Sequence, residues 1–290
     1  IGLKETEYPV TAIPVVSVSD AVKRIYDVSV RTLQLCMHEH FEDCPWREQV
    51  LYIMDSRNAM LSAYEAFGDL RFAKSNLWLI SFSPLMGGLL PASAPSEPKH
   101  SCVIPIYNLV YIIHVYEYLQ RSGDVEFVRT LVPLMEGILS VFESNKRDGL
   151  VAEFEGCWNF CEWTPELTGH EPDQGKRISL ALNAFYILAL SDMDKIYSIL
   201  GEEGSRAEEI AQMQKLIAQK FYLHDEEAFT SYVGKRHVSS LVNALAVLCG
   251  AAKSVGGDAE GIILDKIVSE KLGETSLAMK PFLYDALLTA

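Results

Sequence analysis

The feature that most constrains this chain is a helical spacing of apolar residues that continues almost without a break from Ser19 onward. In residues 20–37, for example, Val22, Ile25 and Tyr26 begin an apolar series with steps of three and four, and Ser19 precedes it as a capping residue. The same spacing predicts helices over residues 45–66, 70–80, 106–122, 125–143, 178–200, 205–221, 238–252, 259–271 and 276–290. The fold class predicted from this pattern is all-α.

These helices are not copies of one unit, because the sequence has no repeat of fixed length between about 20 and 50 residues. Several are apolar on more than one side, as in residues 109–115, which is typical of a helix packed between neighbours. We therefore expect an (α/α)6 toroid of helical hairpins over residues 19–290, with residues 1–18 as an extended lead-in or linker. Ten or eleven helices are fewer than a full toroid needs, so we expect the domain to be truncated before its last hairpin.

Composition and charge argue against several classes of function. The 290 residues carry a net charge of -14, with 25 Lys and Arg against 39 Asp and Glu, so a nucleic-acid partner is not expected. No apolar run approaches the length of about 18 residues that would predict a membrane-spanning helix. Cys157 and Cys161 lack a second pair at zinc spacing, and no Gly-rich phosphate loop precedes a helix, so neither a metal nor a cofactor is predicted.

The compartment stays open at this stage. The first residues show neither a secretory pattern nor an initiator Met, so a cytoplasmic and a periplasmic or secreted location are both compatible with the sequence.

Two connections are longer than a simple turn between helices requires. They span residues 81–105 and 147–176 and are polar or rich in Gly and Pro. Long connections in a compact domain usually carry function, so we expect site residues there.

The densest group of polar and aromatic residues lies near position 50. Residues 43–48 read Asp-Cys-Pro-Trp-Arg-Glu, and Tyr52 and Asp55 follow. Since proline is tolerated in a first helical turn, the predicted helix 45–66 would place Glu48, Tyr52 and Asp55 on one face, with Asp43 just ahead of it. Carboxylates beside an aromatic ring suit a sugar, whose hydroxyl groups bind acids and whose C–H groups pack on ring faces.

A simpler interpretation is also open for the same residues. Acidic side chains are common near helix N-termini, and Asp55 together with Arg47 and Arg57 could form a solvated surface. The presence of Trp46 and Tyr52 in the same stretch favours the sugar pocket.

The segment resembles the signature of glycoside hydrolase family 78, the bacterial α-L-rhamnosidases, which reads Asp-Cys-Pro-x-Arg-Glu, then Trp, then Asp. Weaker similarity covers residues 88–92, 116–118 followed by 123–124, 148–150 and 158–163, and the resemblance extends from about residue 20 to 252. It implies an (α/α)6 barrel and inverting hydrolysis of terminal α-L-rhamnosides. The implied partner is a rhamnose-containing oligosaccharide or glycoside.

The resemblance also implies roles for individual residues. Glu48 occupies the position of the general acid, and Asp43 and Asp55 the positions of residues that hold rhamnose hydroxyl groups. Arg47 would bind sugar or orient a carboxylate. Tyr52 stands where the family has Trp, which keeps an aromatic wall but narrows it.

Further candidate substrate-binding residues lie downstream. By the same resemblance, Trp158 and Trp163 would line the pocket, and Glu162 occupies a position between aromatics where the family often has an acid. His237 precedes the predicted helix 238–252 and is a candidate for the barrel mouth, with an ordinary helix-start residue as the alternative.

An inverting glycosidase needs a protonated acid and an ionised base about 6.5 to 9.5 Å apart. A helix dipole would lower the pKa of Glu48, so burial and the charges of Asp43 and Asp55 must outweigh it, and we predict a raised pKa. In the family the base is a downstream Glu in a Trp-rich segment. We expect it beyond residue 290, and we therefore expect residues 1–290 alone to show little turnover.

Two other functions stay open. Tyr52, and Ile106 where related sequences tend to have an acid, would suit another six-hairpin glycosidase with a different sugar specificity. A noncatalytic carbohydrate-binding homologue is the second alternative.

Overall fold

The computed structural model describes residues 7–15, 18–96 and 101–289. Predictions for residues 1–6, 16–17, 97–100 and 290 lie outside the described residues. The helices are α1 Asp20–Leu35, α2 Ile53–Phe67, α3 Arg71–Ser81, α4 Pro105–Ser122, α5 Val125–Ser144, α6 Leu180–Leu200, α7 Ala207–Phe221, α8 Ser240–Leu248, α9 Ala251–Val255, α10 Ala259–Val268 and α11 Lys280–Leu288, with a 3-10 turn at Leu277–Met279.

Three antiparallel pairs of short strands complete the helices and strands of the described residues. Their strands are β1 Leu51–Tyr52 with β2 Ser93–Ala94, β3 Lys146–Arg147 with β4 Leu150–Val151, and β5 Tyr222–Leu223 with β6 Ala228–Phe229. Each strand has only two residues, so the predicted all-α class is confirmed. No helix of the described ranges combines the length and the apolar character needed to cross a bilayer.

An inner row of helices forms the core. Helix α4 packs against α2 on one side and α6 on the other, α6 packs against α8, and α8 packs against α11. The last inner helix, α11, also contacts the first, α2. Asn58 of α2 donates to the carbonyl of Ala278 just before α11 at 2.9 Å, and the Arg57 guanidinium of α2 lies 4.7 Å from the centre of the Phe282 ring in α11. The predicted toroidal arrangement is confirmed by this packing.

The inner and outer helices differ in how much of their surface is buried. Nearly every residue from Pro105 to Val115 in α4 is buried, as the apolar run predicted. The outer helices α3, α5 and α7 bury one face and expose the other. Helix α1 is different: Val30 is its one buried residue, while Ile25 and Val28 are exposed.

The predicted start of the helix over residues 45–66 is wrong. The structure starts α2 at Ile53, because residues 43–50 close into a loop. In that loop the Asp43 N–H donates to the Val50 carbonyl at 3.0 Å, the Val50 N–H donates to the Asp43 carboxylate at 2.9 Å, and Gln49 has a φ of 53°. Of the residues that the prediction placed on one helical face, only Asp55 is helical.

Two other predicted helices are shorter or divided. Residues 238–252 form α8 and α9, because Gly250 adopts a φ of 79° between them. In residues 276–290, the 3-10 turn Leu277–Met279 precedes α11.

Buried asparagines fasten the connecting segments to the inner helices. One Asn in each of three inner helices accepts from the backbone N–H and donates to the C=O of a single residue in the segment before that helix. The pairs are Asn108 with Leu90, Asn183 with Val151, and Asn243 with Phe229, at 2.7 to 3.1 Å. All three asparagines are fully buried, so each satisfies backbone groups that water cannot reach.

The segments that lead into the inner helices meet at one end of the ring. Hydrogen bonds join them in sequence: Ile53 to Ala92, Ala92 to Cys102, Trp158 to Val103, Leu180 to Ser231, and Ser240 to Gly273. The candidate residues around positions 43–55, 158–163 and 237 all belong to these segments or lie beside them.

Candidate active site

The loop of residues 43–50 brings two acids and a thiol together. The Cys44 thiol accepts from the Glu48 N–H and donates to the Glu48 carboxylate, both at 3.3 Å. One polar atom each of Asp43, Cys44 and Glu48 lies within 4.8 Å of the others. This spacing could hold a cation, but Glu48 already has a cationic partner in Arg47, and we assign no metal to the loop.

Glu48 is held in its ionised form. The Arg47 guanidinium donates to its carboxylate, and with the Cys44 thiol it lowers the pKa of Glu48 to about 2. The predicted rise in this pKa is therefore wrong for the structure described. Glu48 lies outside a helix, so the cause is a direct ion pair rather than a dipole.

The pKa of Asp55 is shifted in the opposite direction. It lies in the first turn of α2 and is largely buried; burial, followed by the negative charge of Asp43, raises its pKa to about 6. The site thus contains one carboxyl that stays ionised and one that takes up a proton near neutral pH. Environments that separate the pKa values of two acids are typical of acid–base sites.

Two tyrosines accompany the acids. Tyr52 is half-buried in β1, and Tyr107 is buried in the first turn of α4. Burial, and then the charge of nearby Asp55, raises the pKa of Tyr107. Tyr107 was not among the predicted site residues, although an aromatic residue two positions after Pro105, at the start of an inner helix, was a signal for it.

Both acids Asp43 and Asp55 line a groove of about 780 Å³ between α1, α2 and the start of α11. Asn58 and Ala278 also line it. The groove is open enough for a sugar to approach the two carboxyls from the solvent.

Trp158 and Trp163 form an aromatic cluster in the connection between β4 and α6. Their ring centres lie 5.7 Å apart, and Trp163 is also near-parallel to the His170 ring at 6.4 Å. The Trp158 indole donates to the Thr168 carbonyl, while Trp163 is 67% exposed. Phe160 links this cluster to the acids, because its ring meets the edge of Tyr107 at 6.4 Å.

Glu162 lies in the same connection but is buried. One carboxylate oxygen accepts from the Ser276 N–H at 2.8 Å, and the other is buried without a partner among the described residues. Burial raises the pKa of Glu162. The structure thus places Glu162 where it holds the segment that precedes α11.

His237 lies in the segment that precedes α8. Its ring nitrogen Nδ1 is 2.8 Å from the Ser231 hydroxyl, and burial lowers its pKa. Within the described ranges, no hydrogen bond joins His237 to Asp43, Glu48 or Asp55. The structure therefore brings together the acids and tyrosines, with the tryptophans adjoining, and places His237 with a different set of neighbours.

The arrangement resembles known proteins in sequence and in fold. The family model described as the bacterial alpha-L-rhamnosidase 6 hairpin glycosidase domain matches residues 14–287. Among curated proteins, no sequence matches this chain.

Solved structures of rhamnosidases share the fold. A GH78 family rhamnosidase of Bacillus sp. GL1 is 26% identical with a TM-score of 0.80, over 98% of this chain and 30% of that one. A rhamnosidase from Klebsiella oxytoca with rhamnose bound is 20% identical with a TM-score of 0.79, over 96% of this chain and 53% of that one. An alpha-L-rhamnosidase of Streptomyces avermitilis complexed with L-rhamnose is 14% identical with a TM-score of 0.67, over 96% of this chain and 26% of that one. The chain therefore spans about half or less of the length of these proteins.

Proposed function

Because the chain belongs to the bacterial α-L-rhamnosidase six-hairpin glycosidase family, we propose that its acid cluster cleaves terminal α-L-rhamnosides with inversion of configuration. The observation that carries this proposal is the meeting of Asp43, Glu48 and Asp55 at one end of the ring, with strongly different environments for the last two. The rhamnose-bound structures of two relatives support the choice of sugar.

We assign the role of general acid to Glu48. In this structure Arg47 keeps it ionised, and the Arg47 side chain is 83% exposed, so a substrate can compete with it for Glu48 from the solvent. When the glycosidic oxygen of a substrate takes the place of the guanidinium, Glu48 loses its ion pair. Because Arg47 is the largest cause of the lowered pKa of Glu48, this loss raises that pKa and favours the protonated form that a general acid needs.

The reaction then follows the inverting course. Glu48 donates its proton to the glycosidic oxygen, the bond from that oxygen to the anomeric carbon breaks, and a water molecule attacks the anomeric carbon from the opposite face. The proton of this water passes to a second carboxylate. The expectation that this general base follows residue 290 stays a prediction.

Asp43 and Asp55 are assigned to the sugar hydroxyl groups. One oxygen of Asp43 is used by the Val50 N–H, which fixes the carboxylate and leaves the other oxygen for a ligand. Tyr52, Trp158 and Trp163 supply ring faces on which the C–H groups of a sugar can pack.

Asp55 is a second candidate for the general acid, because its pKa of about 6 already suits proton donation near neutral pH. We prefer Glu48 because it occupies the acid position of the family signature and is exposed to an incoming leaving group. Substitution of each residue separates the two assignments.

The test is hydrolysis of p-nitrophenyl glycosides by the 290-residue chain and by the natural polypeptide that contains it. We expect the natural polypeptide to cleave the α-L-rhamnoside with β-L-rhamnose as the first anomer seen by NMR, and the 290-residue chain alone to show little turnover. In the natural polypeptide, Glu48→Gln should lose about 10²- to 10⁴-fold in activity. Glu39→Gln is the matched control, because it alters an exposed acid in the same region.

Other outcomes would contradict the proposal in distinct ways. Preferred cleavage of another glycoside would indicate a different sugar specificity. Rhamnose binding without turnover in either polypeptide would indicate a noncatalytic carbohydrate-binding homologue.

A further inference from the structure

An exposed aromatic groove lies between α3 and α5, separate from the residues assigned to the candidate active site. It has a volume of about 540 Å³, which is within the usual range for small-molecule sites. Its aromatic lining comes from Trp78, Phe82 and Phe127, and Lys74 and Asp124 form a polar end.

The two exposed rings stand in a row along α3. Lys74, Trp78 and Phe82 are spaced four residues apart, so they share one face of the helix. The ring centres of Trp78 and Phe82 lie 5.8 Å apart with their planes only 23° from parallel. Trp78 is 47% exposed and Phe82 72% exposed, while Phe127 beneath them is buried and lies 5.8 Å from Trp78.

The polar end of the groove carries an ion pair. The Lys74 ammonium binds the Asp124 carboxylate at 2.6 Å and lies 4.9 Å from the centre of the Phe127 ring. Asp124 also accepts from the Tyr118 hydroxyl at 3.1 Å. The ammonium and this carboxylate compensate each other, and the exposed Glu126 adds one more acid to the lining. The groove therefore does not favour an anion, and its polar end suits a neutral ligand that can both donate and accept hydrogen bonds.

We propose that this groove binds a sugar unit of a neutral oligosaccharide at a site distinct from the catalytic pocket. The C–H face of the sugar packs on Trp78 and Phe82, and its hydroxyl groups reach Lys74 and Asp124. The choice of rhamnose as the sugar rests on the proposed function. The aromatic and polar groups that form the groove are independent of it.

The exposed area favours a sugar over a protein partner. At 47% and 72% exposure, two rings of this kind present roughly 180 to 300 Å² of surface. A stable protein interface needs about 800 Å² from each partner. The two rings supply much less than that area, and ligand-binding grooves are among the sites that exposed apolar patches with a polar rim mark.

The test follows the indole N–H signals of the four tryptophans in 15N-labelled protein. The Trp78 signal is assigned with Trp78→Phe, and the protein is titrated with L-rhamnose and with a neutral rhamnose-containing oligosaccharide. We expect a saturable shift of the Trp78 signal and at least tenfold weaker binding in Phe82→Ala. Leu79→Ala is the matched control, because Leu79 is exposed on α3 outside the groove lining, and it should leave binding unchanged.

This experiment is independent of catalysis. Glu48→Gln should lower hydrolysis by the natural polypeptide about 10²- to 10⁴-fold and leave the Trp78 titration intact. A failure of the proposed function would therefore not remove the groove site. A Trp78 signal that does not move at tens of millimolar of either sugar would overturn the proposal. A signal that moves instead when the protein concentration is raised would also overturn it, by assigning the groove to contact between copies.

Discussion

Replacing Asp55 with Asn should make the protein more stable at neutral pH but not in acid. The pKa of Asp55 is about 6 in the folded protein and 3.8 in its ordinary state. Below pH 3.8 the carboxyl is protonated in both the folded and the unfolded chain, so it carries no penalty. As the pH rises above 3.8 the unfolded chain ionises first, and the folded protein loses stability until the folded group also ionises above about pH 6.

The pKa difference sets the size of the effect. A change from 3.8 to about 6 corresponds to about 3 kcal/mol between the two protonation states. Asn resembles the protonated carboxyl and cannot ionise. We therefore expect the free energy of unfolding of Asp55→Asn, relative to the native sequence, to be larger by about 3 kcal/mol at pH 7.5 than at pH 3.5.

The assay is equilibrium unfolding in urea, followed by circular dichroism at both pH values. Asp43→Asn should reduce the pH-dependent difference without abolishing it, because the charge of Asp43 is a smaller cause of the shift than burial. Glu39→Gln controls for the change in net charge. An equal stability difference between Asp55→Asn and the native sequence at both pH values would refute the reasoning.

Three further substitutions test the contacts that position the site. Asn183→Leu leaves the buried N–H and C=O of Val151 unpaired and should lower the free energy of unfolding by roughly 2 to 6 kcal/mol; a loss below about 1 kcal/mol in urea would contradict this. Arg177→Met breaks a buried pair with Glu153 and should cost about 3 to 5 kcal/mol, of which Glu153→Gln in the same chain should restore a part; equal stability of the single and double variants would argue against it. Gly169→Ala puts a Cβ 2.8 Å from backbone atoms at a φ of +70° and should cost about 1 to 3 kcal/mol; an unchanged melting temperature would count against that strain.

The sequence predicted the bounds of α5 and α6 to within two residues. Residues 125–143 correspond to Val125–Ser144, and residues 178–200 contain Leu180–Leu200, because apolar spacing records which faces of a helix are buried. The start of α2 was not predictable in this way. Pro45 was interpreted as a first-turn residue, and the hydrogen bonds that close the loop between Asp43 and Val50 have no counterpart in the apolar spacing.

The buried asparagines left a signal that the sequence analysis did not use. Both Ser179 and Ser239 cap an inner helix with their side chains, and Asn183 and Asn243 follow each of them by four residues. A search for one common repeat length could not detect this pattern, because the connections between the hairpins differ in length. The element that recurs within the chain is the pair of a capping Ser and an Asn four residues later, rather than the whole hairpin.

The protonation of the candidate site depends on tertiary structure. The sequence placed Asp43, Glu48 and Asp55 in one segment, but it gave no measure of how deeply each is buried. In the structure, burial raises the pKa of Asp55, and the ion pair with Arg47 lowers the pKa of Glu48. Tyr107 joins the site from α4. Its position after Pro105 marks the start of an inner helix, but the apolar spacing does not show that this start lies near Asp55.

If Glu48 is the proton donor of a rhamnosidase site, its substitution must change how catalysis depends on the leaving group. The measurement compares kcat/KM for phenyl and 2,4-dinitrophenyl α-L-rhamnosides in the natural polypeptide and in its Glu48→Gln and Asp55→Asn variants. A dinitrophenolate leaves without a proton, so Glu48→Gln should lose about 10²- to 10⁴-fold on the phenyl substrate and much less on the dinitrophenyl one, while Asp55→Asn should impair both alike. Equal losses on the two substrates in Glu48→Gln, or a leaving-group dependence confined to Asp55→Asn, would contradict the account.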